Sequence, residues 1–331
     1  MDVLILGGTR FLSHQIALEA LNLGHSVTCL TRGMAGEPPP EIDHVIADRE
    51  EADAYDEVAG LFWDEVVDVT STPSHARAAL EAVGPFAGHW TYVSSASVYA
   101  DLSLVGGTED QPLRDPFPED GDEDDLSFYG EMKVACELAA QAALGGRLLI
   151  ARPGLLVGPG DVSDRFGYWP ARFARGGRVL VPDAPDSPVQ VLDTRDLAAW
   201  LVDEFGRGDV GVYDTVGSTQ RLADVLGVCA KVAGFSGEQV AASPEWLSEH
   251  DVEHWAGPES LPLWLPADHA GMATRSGAAA LAAGLTRRSV TESATDVLAD
   301  EHRRGLMRYR RAGLSPERES ELLAELVSAG E

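Results

Sequence analysis

The chain is short of cysteine, of positive charge and of long apolar runs. Its three cysteines, Cys29, Cys136 and Cys229, stand far apart in 331 residues. They have neither metal-ligand spacing nor the density of a disulfide framework. The nine histidines form no HExxH or similar cluster, so no metal is expected. Lysine and arginine total 25 against 54 aspartates and glutamates, a formal net charge of -29. Such a surface repels nucleic acid and anionic membranes at long range, so neither is expected as a partner. No apolar run approaches the length of about 20 residues that a membrane helix needs. The start, MDVLILGG, is too short for a secretory leader and has no basic region before it. The expected location is the reducing cytoplasm.

What is present alternates. DVLIL (2–6) enters GGTRFLS, and IALEALNLGH then carries apolar residues at helical spacing up to Gly24. SVTCL (26–30), DHVIAD (43–48), DEVVDVT (64–70), HWTYVSS (89–95) and RLLIARPG (147–154) read as further strands. Helices are expected over YDEVAGLF (55–62), HARAALEAVG (75–84) and SFYGEMKVACELAAQAAL (127–144), the last with Ser127 as a cap. Apolar strands separated by helices imply a parallel sheet covered on both faces. The fold class is therefore α/β: a Rossmann-type doubly wound parallel sheet with a smaller C-terminal substrate lobe. Residues 1–154 form the dinucleotide domain, with elements returning near 189–218. Residues 155–188 and 219–331 are mainly the lobe. Within the first of these, TEDQPLRDPFPEDGDEDD (108–125) reads as an exposed acidic loop.

A glycine-rich turn between strand and helix lets a backbone approach a pyrophosphate, and the helix offers free N–H groups. Gly7 and Gly8 begin such a turn, so Gly7, Gly8, Thr9, Arg10, Phe11 and Leu12 are candidate cofactor residues. The usual GxxGxxG spacing would put glycines at positions 10 and 13, where Arg10 and Ser13 stand. A carboxylate at the end of the second strand commonly holds the ribose hydroxyls of NAD. Here CLTRG places Arg32 there instead. Arg32 and Arg10 suit a 2'-phosphate, so NADP(H) is favoured, with NAD(H) the alternative.

Tyr129 and Lys133 are four apart on one helix and share a face. An ammonium beside a phenol stabilises the phenolate and eases proton exchange. Ser95, at the end of a strand, is the candidate hydroxyl to hold a substrate oxygen, with Ser94 as fallback. These motifs together resemble the extended or atypical short-chain dehydrogenase/reductase family, which includes the NAD-dependent epimerase/dehydratase group. LGGTRFL resembles the family's glycine-rich entrance, YVSSASVYAD its active-site strand, and YGEMK its catalytic helix. ARPGLLVGPGD resembles the stretch after the sixth strand, with Pro153 at the cofactor. VQVLDTRDLAAW, with Asp193 and Asp196, resembles a later structural signature. The resemblance spans about residues 1 to 220.

It implies an enzyme in which Ser95, Tyr129 and Lys133 are catalytic, Lys133 also binding the nicotinamide ribose, and it leaves room for a homodimer. In the lobe, Ser95, Arg165 and Trp169 are the candidate substrate contacts. Asp164 and Tyr168 are further candidates to face the pocket, and Arg172 and Arg175 to meet an anion. The leading expectation is an NADP-dependent oxidoreductase interconverting a ketone and a secondary alcohol on a small metabolite. The alternatives are an NAD-dependent sugar-nucleotide epimerase and a non-catalytic nucleotide-binding regulator. A dehydratase ranks lower, because Ala96 and Ser97 stand where that branch carries an acidic pair. Similar GGTRFLG sequences occur in RNA-associated chloroplast proteins, a role that the negative charge opposes here.

Overall fold

A computed structural model describes residues 1–329. The chain begins with β1 (Asp2–Leu6), α1 (Phe11–Asn22) and β2 (Ser26–Thr31), followed by β3 (Asp43–Ile46) and β4 (Trp63–Asp68). Next come α2 (Pro73–Ala82), β5 (Ala87–Val93), α3 (Tyr129–Leu144) and β6 (Leu148–Pro153). Then follow β7 (Leu155–Val157), α4 (Tyr168–Ala174), β8 (Arg178–Pro182), β9 (Pro188–Asp193), α5 (Thr194–Glu204) and β10 (Gly211–Thr215). The rest comprises β11 (Thr219–Arg221), α6 (Leu222–Val232), β12 (Glu238–Ala242), α7 (Pro244–Glu249), β13 (Glu253–Trp255) and β14 (Ser260–Pro262), then α8 (Ala278–Ala282), α9 (Val290–Arg304) and α10 (Pro316–Ala329).

Seven strands form one parallel sheet in the order β10-β6-β5-β4-β1-β2-β3. The order reverses beside β1, the arrangement of a doubly wound nucleotide fold, with its crevice at the strands' carboxyl ends. Val3, Leu4 and Ile5 in β1 are fully shut from solvent, as a strand covered on both faces must be. One face packs on α1 and α5 through Ile16, Ala17, Leu197 and Leu201. The other packs on α2 and α3 through Ala79, Leu80, Cys136 and Ala140.

Two local expectations differ from the structure. Residues 55–62 make turns rather than a helix. Tyr55 and Val58 bury their side chains, but Gly60 follows at φ +74°, and the Tyr55 hydroxyl is held by Arg49 and the His75 carbonyl. The helix carrying Tyr129 is preceded by a 3-10 turn, Leu126–Phe128, and Asp125 rather than Ser127 caps it.

Beyond β6 the chain builds a second core. β9 pairs with β7 in parallel and with β11 antiparallel, and β8 pairs with β12. Around them Phe166, Tyr168, Trp169, Phe173, Leu226 and Leu261 pack together. The expectation that Trp169 walls the substrate pocket is corrected here. Its side chain is wholly buried, stacks edge-on with Tyr168 at 5.1 Å, and donates its indole N–H to the Pro262 carbonyl at 2.7 Å. It is a core residue because its ring lies on the face of α4 turned toward β14. Gly330 and Glu331, the end of the expected lobe, lie outside the described residues.

Candidate active site

The turn after β1 needs its glycines. Gly7 and Gly8 have φ of +132° and +117°, which L side chains rarely adopt. A Cβ on Gly8 would sit 2.2 Å from Cys29 Sγ. Burial of that thiol pushes its pKa up to about 12, so it is an inert packing group. Ser13 stands where a third glycine was sought. Its hydroxyl donates to the Arg10 carbonyl at 2.9 Å, and a Cβ on Gly7 would already be 3.3 Å from its Cβ and Oγ. Serine therefore fills the space between turn and helix and closes the first turn of α1.

A groove of about 470 Å³ opens over this turn, lined by Gly7, Gly8, Thr9, Arg10, Arg32, Asp48, His75 and others. At the end of β2 the Thr31 hydroxyl is engaged with His44 Nε2 at 2.8 Å and with the Gly33 N–H at 3.1 Å. Arg10 and Arg32 are both exposed at this groove. Arg49, in contrast, is committed, forming a two-pronged pair with Asp68 at 3.0 Å.

The second cavity, also about 470 Å³, takes Phe11 and Leu12 together with Ser95, Tyr129, Lys133, Pro153 and Arg165. The two hollows meet at the start of α1 and the end of β4. Arg10 and Ser13 line one while Phe11 and Leu12 line the other, and Val69 and Thr70 divide the same way. Phe11 and Leu12 thus face the catalytic side rather than the glycine groove.

Tyr129 begins α3 and Lys133 follows one turn later. Lys133 is buried. Its ammonium donates to the carbonyls of Thr70 and Val93, each at 2.7 Å, and of Val69 at 3.3 Å. It also stands 5.0 Å over the Tyr92 ring. All its donors are thus engaged by the ends of β4 and β5, and contact with a ribose requires it to exchange one. The Ser95 hydroxyl accepts from the Ser97 N–H and donates to Ser97 Oγ, both at 3.1 Å. Ser94 is buried and its hydroxyl has no partner.

The far side of this cavity comes from the second lobe: Asp161, Ser163, Arg165, Trp255, Met272 and Arg311. Arg165 donates from Nε to Ser163 Oγ at 3.2 Å and lies 5.1 Å over the Trp255 ring. Burial lowers its pKa, while Asp161 and Tyr129 act in the opposite sense. Burial pushes the Asp161 carboxyl up against two bonds from Ser163. Met272 and Arg311 were missed by sequence reasoning; Met272 comes on a short 3-10 helix (Ala267–Ala273) and Arg311 from an irregular stretch, both more than a hundred residues past Tyr129 and Lys133, and no local pattern marks them. The other lobe candidates are structural. Asp164 is buried and accepts from Arg308 and the Arg311 N–H. Tyr168 is buried in the core. Arg172 is buried against Glu319, and Arg175 reaches the same carboxylate at 3.6 Å.

Unpaired cations are unevenly placed. Of the 25 lysines and arginines, only Arg10, Arg32, Lys133, Arg147, Arg165, Lys231, Arg287 and Arg311 have no ion pair among the described residues. Five of those eight line the two connected hollows. In so acidic a chain, such positions favour anionic ligands.

No family model matches the chain. The chloroplast stem-loop binding protein of 41 kDa b from Arabidopsis thaliana is 25% identical over 252 residues, 70% of this chain and 63% of that protein. The match thus spans less than two thirds of that relative's length. Among solved structures, the UDP-glucose 4-epimerase of Thermotoga maritima, determined with UDP-glucose, is similar with a TM-score of 0.68. It has 13% identity over 92% of this chain and 99% of its own. RMD of Pseudomonas aeruginosa, complexed with NADPH, is similar with a TM-score of 0.60, at 19% identity over 92% of this chain and 99% of its own. The likeness to these solved structures therefore extends over the whole fold, more than nine tenths of the chain. Among the described residues no helix is long and apolar enough to cross a membrane.

Proposed function

We propose that this chain catalyses hydride transfer between a nicotinamide dinucleotide and the carbinol carbon of an anionic substrate. The observation that carries the reading is the convergence of Ser95, Tyr129 and Lys133 on one cavity that adjoins the glycine-turn groove. The groove fits a dinucleotide: two glycines expose backbone at positive φ and two unpaired arginines stand at its wall. When bound, the nicotinamide supplies or accepts the hydride. Gly7, Gly8 and the first turn of α1 would hold the pyrophosphate. Arg32 and Arg10 would take a 2'-phosphate, which supports NADP(H) over NAD(H).

On the substrate side, Ser95 turns its hydroxyl from Ser97 to the substrate oxygen. Tyr129 gives that oxygen a proton during reduction and removes it during oxidation. Lys133 ties α3 to the ends of β4 and β5, holding Tyr129 at the cavity and placing a positive charge beside it. Arg165 and Arg311 would bind the substrate's anionic group, with Trp255 as a flat wall. Residues 155–188 and 219–329 are accordingly read as the substrate lobe.

A second reading is an epimerase that keeps NAD and recycles it. It is supported by the unpaired Arg165 and Arg311, which suit a nucleotide diphosphate, and by the likeness to the UDP-glucose 4-epimerase. RNA binding, suggested by the name of the chloroplast relative, is opposed by the net charge of -29. Mass spectrometry of the nucleotide released from gently purified protein, followed by titration of NAD(H) and NADP(H) into stripped protein, tests the proposal. Reversible binding with preference for NADP(H) supports net redox chemistry. Tightly retained NAD supports the epimerase, and binding of neither refutes both.

A further inference from the structure

The acidic loop reaches the rim of the cofactor groove, which Asp124 lines, and its two parts are held very differently. Its base is locked by buried groups. Arg275 donates to Gln111 Oε1 at 2.8 Å and to the Thr108 carbonyl at 2.7 Å, and Gln111 donates to the Asp101 carbonyl at 2.6 Å. Further along, Arg114 bonds the Ser97 carbonyl at 2.9 Å and Glu131 at 3.0 Å. Phe117 donates its N–H to the Glu131 carbonyl at 3.0 Å and meets the Phe128 ring edge-on at 5.8 Å.

Past Phe117 the character changes. Within residues 118–125 the hydrogen bonds are mostly internal: Gly121 to Pro118, Asp124 to Asp122 and Asp125 to Asp122. One side chain joins this tip to the groove wall. Glu123 accepts from the Ser74 N–H at 2.9 Å and from the Ser74 hydroxyl, and lies 3.7 Å from Arg77. Ser74 is the second residue of α2, whose free N–H groups favour a carboxylate. On either side of it Thr72 and His75 line the groove, and Asp124 of the tip lines it too.

We propose that residues 118–124 form a latch over the cofactor groove, clasped by Glu123 on Ser74, and that the clasp must open for nucleotide to enter or leave. This rests on the nucleotide-binding reading above. A firm base, a tip joined to the groove wall by one partly exposed carboxylate, and Asp125 fixed as the cap of the turn before Tyr129 let residues 118–124 swing while Tyr129 and Lys133 stay in place. Asp124 adds a negative charge at the rim, which disfavours a phosphate crossing it while the tip is down. The latch sets exchange rate more than affinity, because it stands in the path in both directions.

Stopped-flow nucleotide fluorescence on the full chain tests this, using NADPH and NADH as probes. Glu123→Ala is expected to raise both association and dissociation rates about tenfold, the change that losing one charge-assisted bond brings, with Kd moving less than about threefold. Ser74→Ala, which removes only the hydroxyl donor, is expected to fall between wild type and Glu123→Ala. Unchanged rates in both variants overturn the latch while leaving nucleotide binding intact. A rise in dissociation alone, with Kd weakened in proportion, overturns it too and makes Glu123 a simple ligand contact. If wild-type protein binds neither nucleotide, the latch and the nucleotide reading fall together.

Discussion

Arg152 and Glu137 form a two-pronged ion pair, Nε to Oε1 at 2.9 Å and Nη2 to Oε2 at 2.6 Å, with both side chains shut from solvent. The pair ties β6, which carries Pro153, to α3, which carries Tyr129 and Lys133. Arg152 also donates to the Tyr99 hydroxyl at 3.0 Å, and that hydroxyl donates to Asp214 at 2.7 Å. The Asp214 carboxylate is in turn bound by Arg275 Nε at 2.7 Å. Arg152, Glu137, Tyr99, Asp214 and Arg275 therefore form one buried, hydrogen-bonded polar network.

Removing one partner leaves a buried charge uncompensated. Glu137→Ala is expected to lower stability by roughly 3–5 kcal/mol, read by urea denaturation. Replacing both partners, Glu137→Leu with Arg152→Met, is expected to cost less than either single change. A Glu137→Ala loss under about 1 kcal/mol would mean that water reaches the pair.

Tyr129 and Lys133 should separate chemistry from folding. The Tyr129 hydroxyl makes no hydrogen bond among the described residues, so Tyr129→Phe should leave the melting temperature in place. It should lower turnover roughly 10²–10⁴-fold, the usual size of a lost general acid or base. Lys133→Met should lower both, because the carbonyls of Val69, Thr70 and Val93 lose the ammonium and only Thr70 keeps a second side-chain donor, the Tyr92 hydroxyl, at about 1–3 kcal/mol for each one left unsatisfied. Paired melting curves and single-turnover assays distinguish the two. Full activity in Tyr129→Phe would exclude the proposed proton transfer.

The proposed preference for NADP(H) rests on Arg32. It is exposed, without an ion pair, where a carboxylate would select against a 2'-phosphate. Arg32→Ala is expected to weaken NADPH about tenfold, a loss of about 1.4 kcal/mol, and to leave NADH nearly unchanged. Parallel titrations measure this. Equal loss for both nucleotides would place Arg32 at the shared pyrophosphate and remove the argument for NADP(H).

The sheet was legible because β1, β2, β5 and β6 are mostly apolar runs covered on both faces, whereas β4, WDEVVD, was marked chiefly by its Val66-Val67 pair. Tyr129 and Lys133 were legible because helical spacing alone puts them on one face. Ser13 illustrates a harder case: serine at an expected glycine looks like a defect until its bond to Arg10 is seen. Trp169 was misassigned for a physical reason. An aromatic beside arginines reads alike whether it walls a pocket or fills a core, and only the placement of β14 decides. Arg311 and Met272 reach the cavity by tertiary packing, from a bend and a seven-residue 3-10 helix that leave no lasting periodicity in the sequence.

Stability should carry a pH signature from Glu204, at the end of α5. Burial comes first, then the hydrogen-bonded carboxylate of Asp209; together they push the Glu204 carboxyl up from 4.5 to about 7, against the pull of Arg207. The folded state therefore keeps a proton that the unfolded chain has lost between those two values. Stability from this group is complete below about pH 4.5 and declines as pH rises to about 7, beyond which the loss is constant. Glu204→Gln retains the neutral form at every pH. Its melting temperature relative to wild type should therefore rise with pH across that window and level off above it. Wild type and variant falling in parallel between pH 5 and 7 would show that Glu204 titrates as an ordinary carboxylate, with Arg207, 3.0 Å away, outweighing burial.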